Sequence, residues 1–139
     1  MKHYMNAFGE EVIVDNTDKA ISIASEKTGA IVYDYTAAPV YFCDGSIGAH
    51  EWLIEFGKDP DSLDGFVSEL DKALQSINSD YEAKRYKDIA LRMPQVHALK
   101  QGTFTEWLRS KGKLGGQHKV PRLSNERNYI EEILSILRP

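Results

Sequence analysis

The side chains best suited to chemistry lie late in the chain, in GTFTEWLRSKGKLGGQHKVPRLSNER from Gly102 to Arg127. At its centre Gly115-Gly116 is followed by Gln117, His118, Lys119, Val120, Pro121 and Arg122. Adjacent glycines permit positive φ and close approach to a ligand, and Pro121 restricts the backbone between the two cations. From Lys100 to Arg127, Lys and Arg number seven against two Asp and Glu, in a chain of formal net charge −4. A cationic, glycine-led loop suits an anion such as a phosphate or a carboxylate. The same features describe a solvated connection between two elements, and both readings stand at the level of charge and glycine.

Other chemistries find less support. The four histidines, His3, His50, His97 and His118, show no i, i+4 spacing and have no cysteine pair beside them, so no metal site is expected. His50 and His97 fall in expected strands and read as satisfied strand residues. There is no Gly-x-Ser-x-Gly elbow, no phosphate loop and no Gly-x-Gly-x-x-Gly. Lys119 would therefore meet an anion held mainly by something else. Tyr81 to Arg85 reads as a solvated helix face with Glu/Lys neighbours. Glu10, Glu11, Asp15 and Asp18 read as ordinary helix-start acids rather than a Mg²⁺ site.

The totals narrow the class. A chain of 139 residues with 42% hydrophobic content fits one domain with a core of its own. The single cysteine, Cys43, forms no internal disulfide, reads as core or strand filler, and makes a reducing, cytoplasmic compartment the expectation. No apolar run is long enough to span a membrane, and Met1 to Asn6 carries no apolar signal region. Residues 1–80 hold five Lys/Arg against fifteen Asp/Glu, and residues 81–139 hold twelve against six. An acidic and a basic half can attract each other or mark one functional face. The net negative charge and the lack of a recognised signature weigh against nucleic acid.

These residues need elements to position them. Tyr4 to Val14 has a short extended or turn pattern and begins abruptly, as at a domain boundary. Asp15 or Asn16 is expected to cap a helix with Ala20, Ile21, Ile23 and Ala24 as its stripe and Gly29 as its stop. Ala30 to Cys43 is β-branched and aromatic, with Pro39 making it an edge or splitting it. His50 to Phe56 alternates, with Trp52, Ile54 and Phe56 on one face and Glu51, Leu53 and Glu55 on the other. The two runs predict an antiparallel pair joined over Asp44 to Ala49.

After Asp59-Pro60-Asp61, Leu63, Phe66, Val67, Leu70, Ala73, Leu74 and Ile77 predict a helix with a continuous apolar face. Asn78 to Asp80 ends it and caps another helix, Tyr81 to Leu91, stopped by Pro94. Gln95 to Lys100 reads as a strand. Gly102 turns the chain, and Thr103 or Thr105 opens a helix around Trp107 and Leu108. Ser124 reads as the N-cap of a last helix presenting Tyr129, Ile130, Ile133, Leu134 and Leu137. The expected class is α+β: a small mixed or antiparallel sheet of about four strands flanked by helices.

Three stretches carry a family resemblance that spans essentially the whole chain. Lys2 to Val12 (KHYMNAFGEEV), Leu70 to Leu74 with Asn78 to Arg85, and above all Gly102 to Arg122 resemble the C-terminal part of the auxin-responsive (Gretchen Hagen) acyl-acid amido synthetases. These are adenylate-forming ligases. The absence of an aromatic at His118 and of a cysteine at Leu123, usual in plant members, makes the chain look more like the bacterial branch.

The resemblance implies that residues 1–139 form the mobile C-terminal domain of a ligase whose large N-terminal adenylation domain binds ATP with Mg²⁺ and is its partner. It implies a carboxylic acid activated as an acyl-adenylate and then joined to an amine, with Lys2 at the interdomain hinge. Lys119 is implied as the catalytic lysine brought to the α-phosphate, with Gln117 and Arg122 positioning the loop or touching phosphate. The competing expectation is a stand-alone anion-binding or protein-interaction module.

Overall fold

In the computed structural model, which describes residues 4–42, 47–112 and 119–137, the chain opens with two short strands, β1 (Tyr4–Met5) and β2 (Val12–Ile13). Helix α1 (Val14–Thr28) leads into β3 (Ile31–Tyr41) and β4 (Gly48–Lys58). Helices α2 (Leu63–Ile77) and α3 (Ser79–Arg85) follow, then β5 (Gln95–Leu99), α4 (Thr103–Ser110) and α5 (Asn128–Leu137). The class is α+β. β3 pairs antiparallel with β4, and β4 parallel with β5, in the order β3-β4-β5, while β1 and β2 form a separate antiparallel ribbon. The main sheet thus has three strands, and the strands of the ribbon stand apart from it.

β4 owes its central place to its alternation. Trp52, Ile54 and Phe56 face a first core with Ile21 and Ala24 of α1 and Phe66, Leu70 and Leu74 of α2. Leu53, on the other face, enters a second core with Leu99, Phe104, Trp107, Ile130 and Ile133. Both faces are covered, so Glu51 and Glu55 are buried with Leu53 rather than solvated. Each large apolar side chain buried here contributes about 1.5–3 kcal/mol. Pro39 does not split β3. It pairs with His50 in an unbroken edge strand, where a missing N–H costs no ladder bond.

Helix ends differ from the sequence expectation where local bonds compete. α1 begins earlier, with Ile13 at the N-cap, and Asn16 accepts from the Ile13 N–H at 3.0 Å. Gly29 closes it at φ 72°. Ile23 is exposed; the buried stripe is Thr17, Ala20, Ile21, Ala24 and Thr28. Ser62 caps α2, accepting from Gly65 N at 3.1 Å. Asn78 caps α3 as expected, accepting from Tyr81 N at 2.7 Å.

α3 stops at Arg85, well short of Leu91. Lys87 and Asp88 adopt φ of 52° and 56°, and the Arg85 guanidinium turns inward. It donates to Asp71 through Nε at 2.7 Å and Nη2 at 2.9 Å, and through Nη1 to the Leu91 carbonyl at 3.1 Å. Tyr81 donates to the same Asp71 carboxylate at 2.6 Å. Arg85 therefore belongs to a buried network and not to a solvated helix face. Burial first, and then the Asp71 charge, push the Tyr81 phenol well above its ordinary range.

The N-terminal ribbon is locked by one buried carboxylate. Glu10 Oε1 accepts from Phe8 N at 2.7 Å, and Oε2 lies 2.7 Å from His50 Nε2, with both side chains fully buried. Burial pulls the Glu10 pKa upward, but His50 outweighs it and the carboxyl ends below its ordinary value of 4.5. A depressed folded-state pKa adds stability that is present above the unfolded value and lost as pH falls through the folded one. The dyad should therefore stabilise the domain above pH 4.5 and weaken it in acid. His50→Ala strands a buried carboxylate and is expected to cost about 3–5 kcal/mol in urea unfolding at neutral pH. A loss below about 1 kcal/mol, the net size of an ordinary hydrogen bond, would show that the dyad does not hold the ribbon.

Candidate functional site

The residues from Lys119 to Arg127 lie along the outer edge of β3. Thr36 Oγ1 donates to the Pro121 carbonyl at 2.6 Å, Ala37 N to the Arg122 carbonyl at 2.8 Å, and Ser124 N to the Ala37 carbonyl at 3.2 Å. Ala37 and Leu123 form an isolated parallel bridge. Val120 is buried in the second core and Leu123 in the first. The segment is thus pinned at two apolar points on either side of Pro121 and Arg122. Ser124 does not cap the last helix. Its Oγ accepts from Glu126 N at 3.1 Å, and the chain becomes helical only at Asn128, beyond Arg127, which is still tied to the sheet.

The two arginines of this segment are matched to carboxylates. Arg122 Nη1 donates to both oxygens of Asp18 at 2.9 and 3.1 Å, and Nε to Asp34 at 3.4 Å. Its guanidinium lies 5.4 Å from the Tyr35 ring centroid. Tyr35 OH donates to Asp18 Oδ1 at 2.6 Å and also lies 2.6 Å from Thr17 Oγ1. Burial and then Asp18 push the Tyr35 phenol above its usual range. Burial pulls the Arg122 guanidinium down, yet the Asp18 charge leaves it above its ordinary value. An open groove of about 300 Å³ beside this cluster is lined by Asp18, Ser22, Tyr33, Asp34 and Arg122.

Arg127 is held in the same manner. Nη2 donates to Glu51 at 2.7 Å and Glu131 at 2.6 Å, and Nη1 to the Pro39 carbonyl at 2.9 Å. Glu51 also meets His97 Nε2 at 2.7 Å. Burial raises the Glu51 pKa, but Arg127 and then His97 bring it below the ordinary carboxylate value. Lys119 differs from both arginines. It is exposed, next to buried Val120, and among the described residues it makes no ion pair.

Lys119 and Arg122 therefore share one anchored segment but not one environment. Arg122 is committed to carboxylates of α1 and β3, whereas Lys119 is presented outward. Gln117, Lys2, the Gly115-Gly116 pair, His118 and Cys43 lie outside the described residues. His50 and His97 each have a carboxylate partner through Nε2, while the buried Nδ1 of His50 has no hydrogen-bond partner among the described residues. Among the described residues no three His, Cys, Asp or Glu are grouped to hold a metal ion, and no helix is long and apolar enough to cross a membrane. Asp34, Tyr35 and Thr36 were not legible as site residues, because β3 meets the Arg122 segment only in three dimensions. Asp18 is a member of the cluster rather than a generic helix-start acid.

A family model described as the GH3 family C-terminal domain matches residues 15–128. The chain belongs to the GH3 family. Among solved structures, one titled GH3.15 acyl acid amido synthetase shares 18% identity at a TM-score of 0.73, covering 96% of this chain and 24% of that one. A second, AtGH3.15 acyl acid amido synthetase in complex with 2,4-DB, shares 16% identity at a TM-score of 0.75, covering 97% and 26%. At these identities the likeness is one of fold. No curated protein matches the sequence. The GH3 domain described here spans about a quarter of the length of the solved structures it matches.

Arg127→Ala leaves Glu51 buried with only His97 beside it. The Glu51 pKa is expected to rise from below its ordinary value toward or past 4.5, as read from the side-chain carboxyl carbon in a ¹³C titration. A Glu51 that stays depressed would assign its ionisation to His97 instead.

Proposed function

We propose that this domain is the mobile C-terminal part of an ATP-dependent acyl-acid amido synthetase and delivers Lys119 to the reacting phosphate and carboxylate. The observation that carries the reading is the presentation of Lys119: an exposed residue directly before Val120, which is buried in the second core. GH3 family membership supports a ligase reading, and the arginines on the same segment are already matched to carboxylates.

In this reading a carboxylic acid and ATP give an acyl-adenylate and pyrophosphate, and an amine then displaces AMP to form the amide. A large N-terminal domain binds the nucleotide, its Mg²⁺ and the acid. The family resemblance assigns Lys2 to the hinge about which this domain would swing between the two steps. Lysine is a compact point charge on a flexible stem. Held against the α-phosphate, Lys119 offsets the negative charge that builds as the carboxylate attacks. The family resemblance gives Gln117 the role of positioning the loop or touching phosphate. The role of Arg122 is to hold the segment in place, since its guanidinium is occupied. A cytoplasmic setting agrees with the single cysteine.

The first test extends the reading frame upstream of the Met1 codon. A continuous frame of several hundred codons containing a nucleotide-binding loop is expected, and a stop codon immediately upstream would overturn the ligase reading. In the longer protein, Lys119→Ala is expected to slow ATP–pyrophosphate exchange by about a hundredfold or more, with the thermal unfolding midpoint unchanged. Exchange at the unsubstituted rate would remove Lys119 from the chemistry.

A further inference from the structure

Three main-chain acceptors or donors and two buried side chains attach the Lys119 segment to the sheet. Attachment alone therefore does not explain the charge cluster around Arg122. That cluster brings two carboxylates from different elements, Asp18 of α1 and Asp34 of β3, onto one guanidinium three residues from Lys119. Asp18 is itself oriented by Tyr35, whose hydroxyl is buttressed by Thr17.

The alternative to this pairing is informative. Arg122 is 37% exposed along its side chain. A guanidinium released at that distance from Lys119 would compete for any phosphate or carboxylate that Lys119 meets, because Arg binds such anions through two parallel bonds and Lys binds them as a point charge. Pairing with Asp18 neutralises Arg122 and holds the residue two places after Val120, the buried neighbour of Lys119. The pair is partly exposed, so its direct contribution to stability is small. Its contribution to geometry need not be, because a small displacement of a charged catalytic group is costly.

We infer that Asp18 is a positioning residue for Lys119, acting through Arg122. Among the described residues of the segment, it leaves Lys119 as the cation not matched to a carboxylate. The inference rests on the reading of Lys119 given above, and its tests separate the two.

On the 139-residue chain itself, Asp18→Asn is expected to lower the ¹⁵N heteronuclear NOE of the Lys119 amide, while amides of α2 keep theirs. An unchanged Lys119 value overturns the inference. In the longer protein, Asp18→Asn is expected to lower the maximal pyrophosphate-exchange rate about tenfold with the KM for ATP held within about twofold. In a Lys119→Ala background the same substitution is expected to add nothing, because a residue acting through another has no separate effect. If the two losses multiply, Asp18 acts elsewhere and the inference fails.

Two further outcomes separate the claims. If Lys119→Ala is inactive but Asp18→Asn exchanges normally, only the inference falls. If Lys119→Ala is fully active, the catalytic reading falls and takes the inference with it. Should Asp18→Asn unfold, Tyr35→Phe removes one hydrogen bond to the same carboxylate and keeps every charge. It is expected to give the same pattern at about a threefold loss, the size of one modest hydrogen bond, and a rate equal to that of the unsubstituted protein overturns the inference.

Discussion

The C-terminal half of the domain hangs on two buried carboxylates of β4. Glu51 and Glu55 share a face with Leu53 and are each 8% exposed. Buried charges of this kind are costly unless fully matched, and each is matched by an element that follows it in the chain. Glu55 accepts from Gly102 N and Phe104 N, both at 3.1 Å, and so supplies the cap that Gly102 cannot provide to α4. Glu51 takes Arg127 and His97. The strand that builds the core thus also sets where α4 starts and where the Lys119 segment is tied down.

The uneven charge of the chain is converted into specific cross-links. Carboxylates from the acidic half, Asp18, Asp34 and Glu51, meet arginines from the basic half, Arg122 and Arg127. Arg85 and Asp71 do the same closer to the chain's middle, in a drier setting. In each case the cation is arginine, whose planar fork satisfies more than one acceptor at once. The lysine on the same segment is left on the surface. This division separates arginines matched to carboxylates from a lysine presented outward.

Legibility followed the range of the interactions. The alternation in β4, most of the stripes of α1 and α2, the Asn78 cap, the glycine stop at Gly29 and the turn at Gly102 are decided by neighbours a few residues away, and they were readable. The errors arose where a distant partner overrode a local rule. α3 is cut short because Arg85 turns in to Asp71, fourteen residues earlier in the chain. Ser124 fails to cap α5 because Arg127 is held by Glu51 and the Pro39 carbonyl. That the face of β4 carrying two glutamates is covered by α4 and α5 is likewise decided only in three dimensions.

Of the candidate site, the sequence by itself determined the cationic segment, the placement of Lys119 between a glycine pair and Pro121, and the family resemblance that the GH3 match supports. It also determined the α+β class, because periodicity is a local property. The tertiary structure alone decided which cation is spent on anchoring and which is presented. Asp18 lies 104 residues from Arg122 in sequence and Asp34 lies 88 residues away. No pattern along the chain records that distance, because the pairing exists only once α1 and β3 have packed and brought their carboxylates to one edge of the sheet.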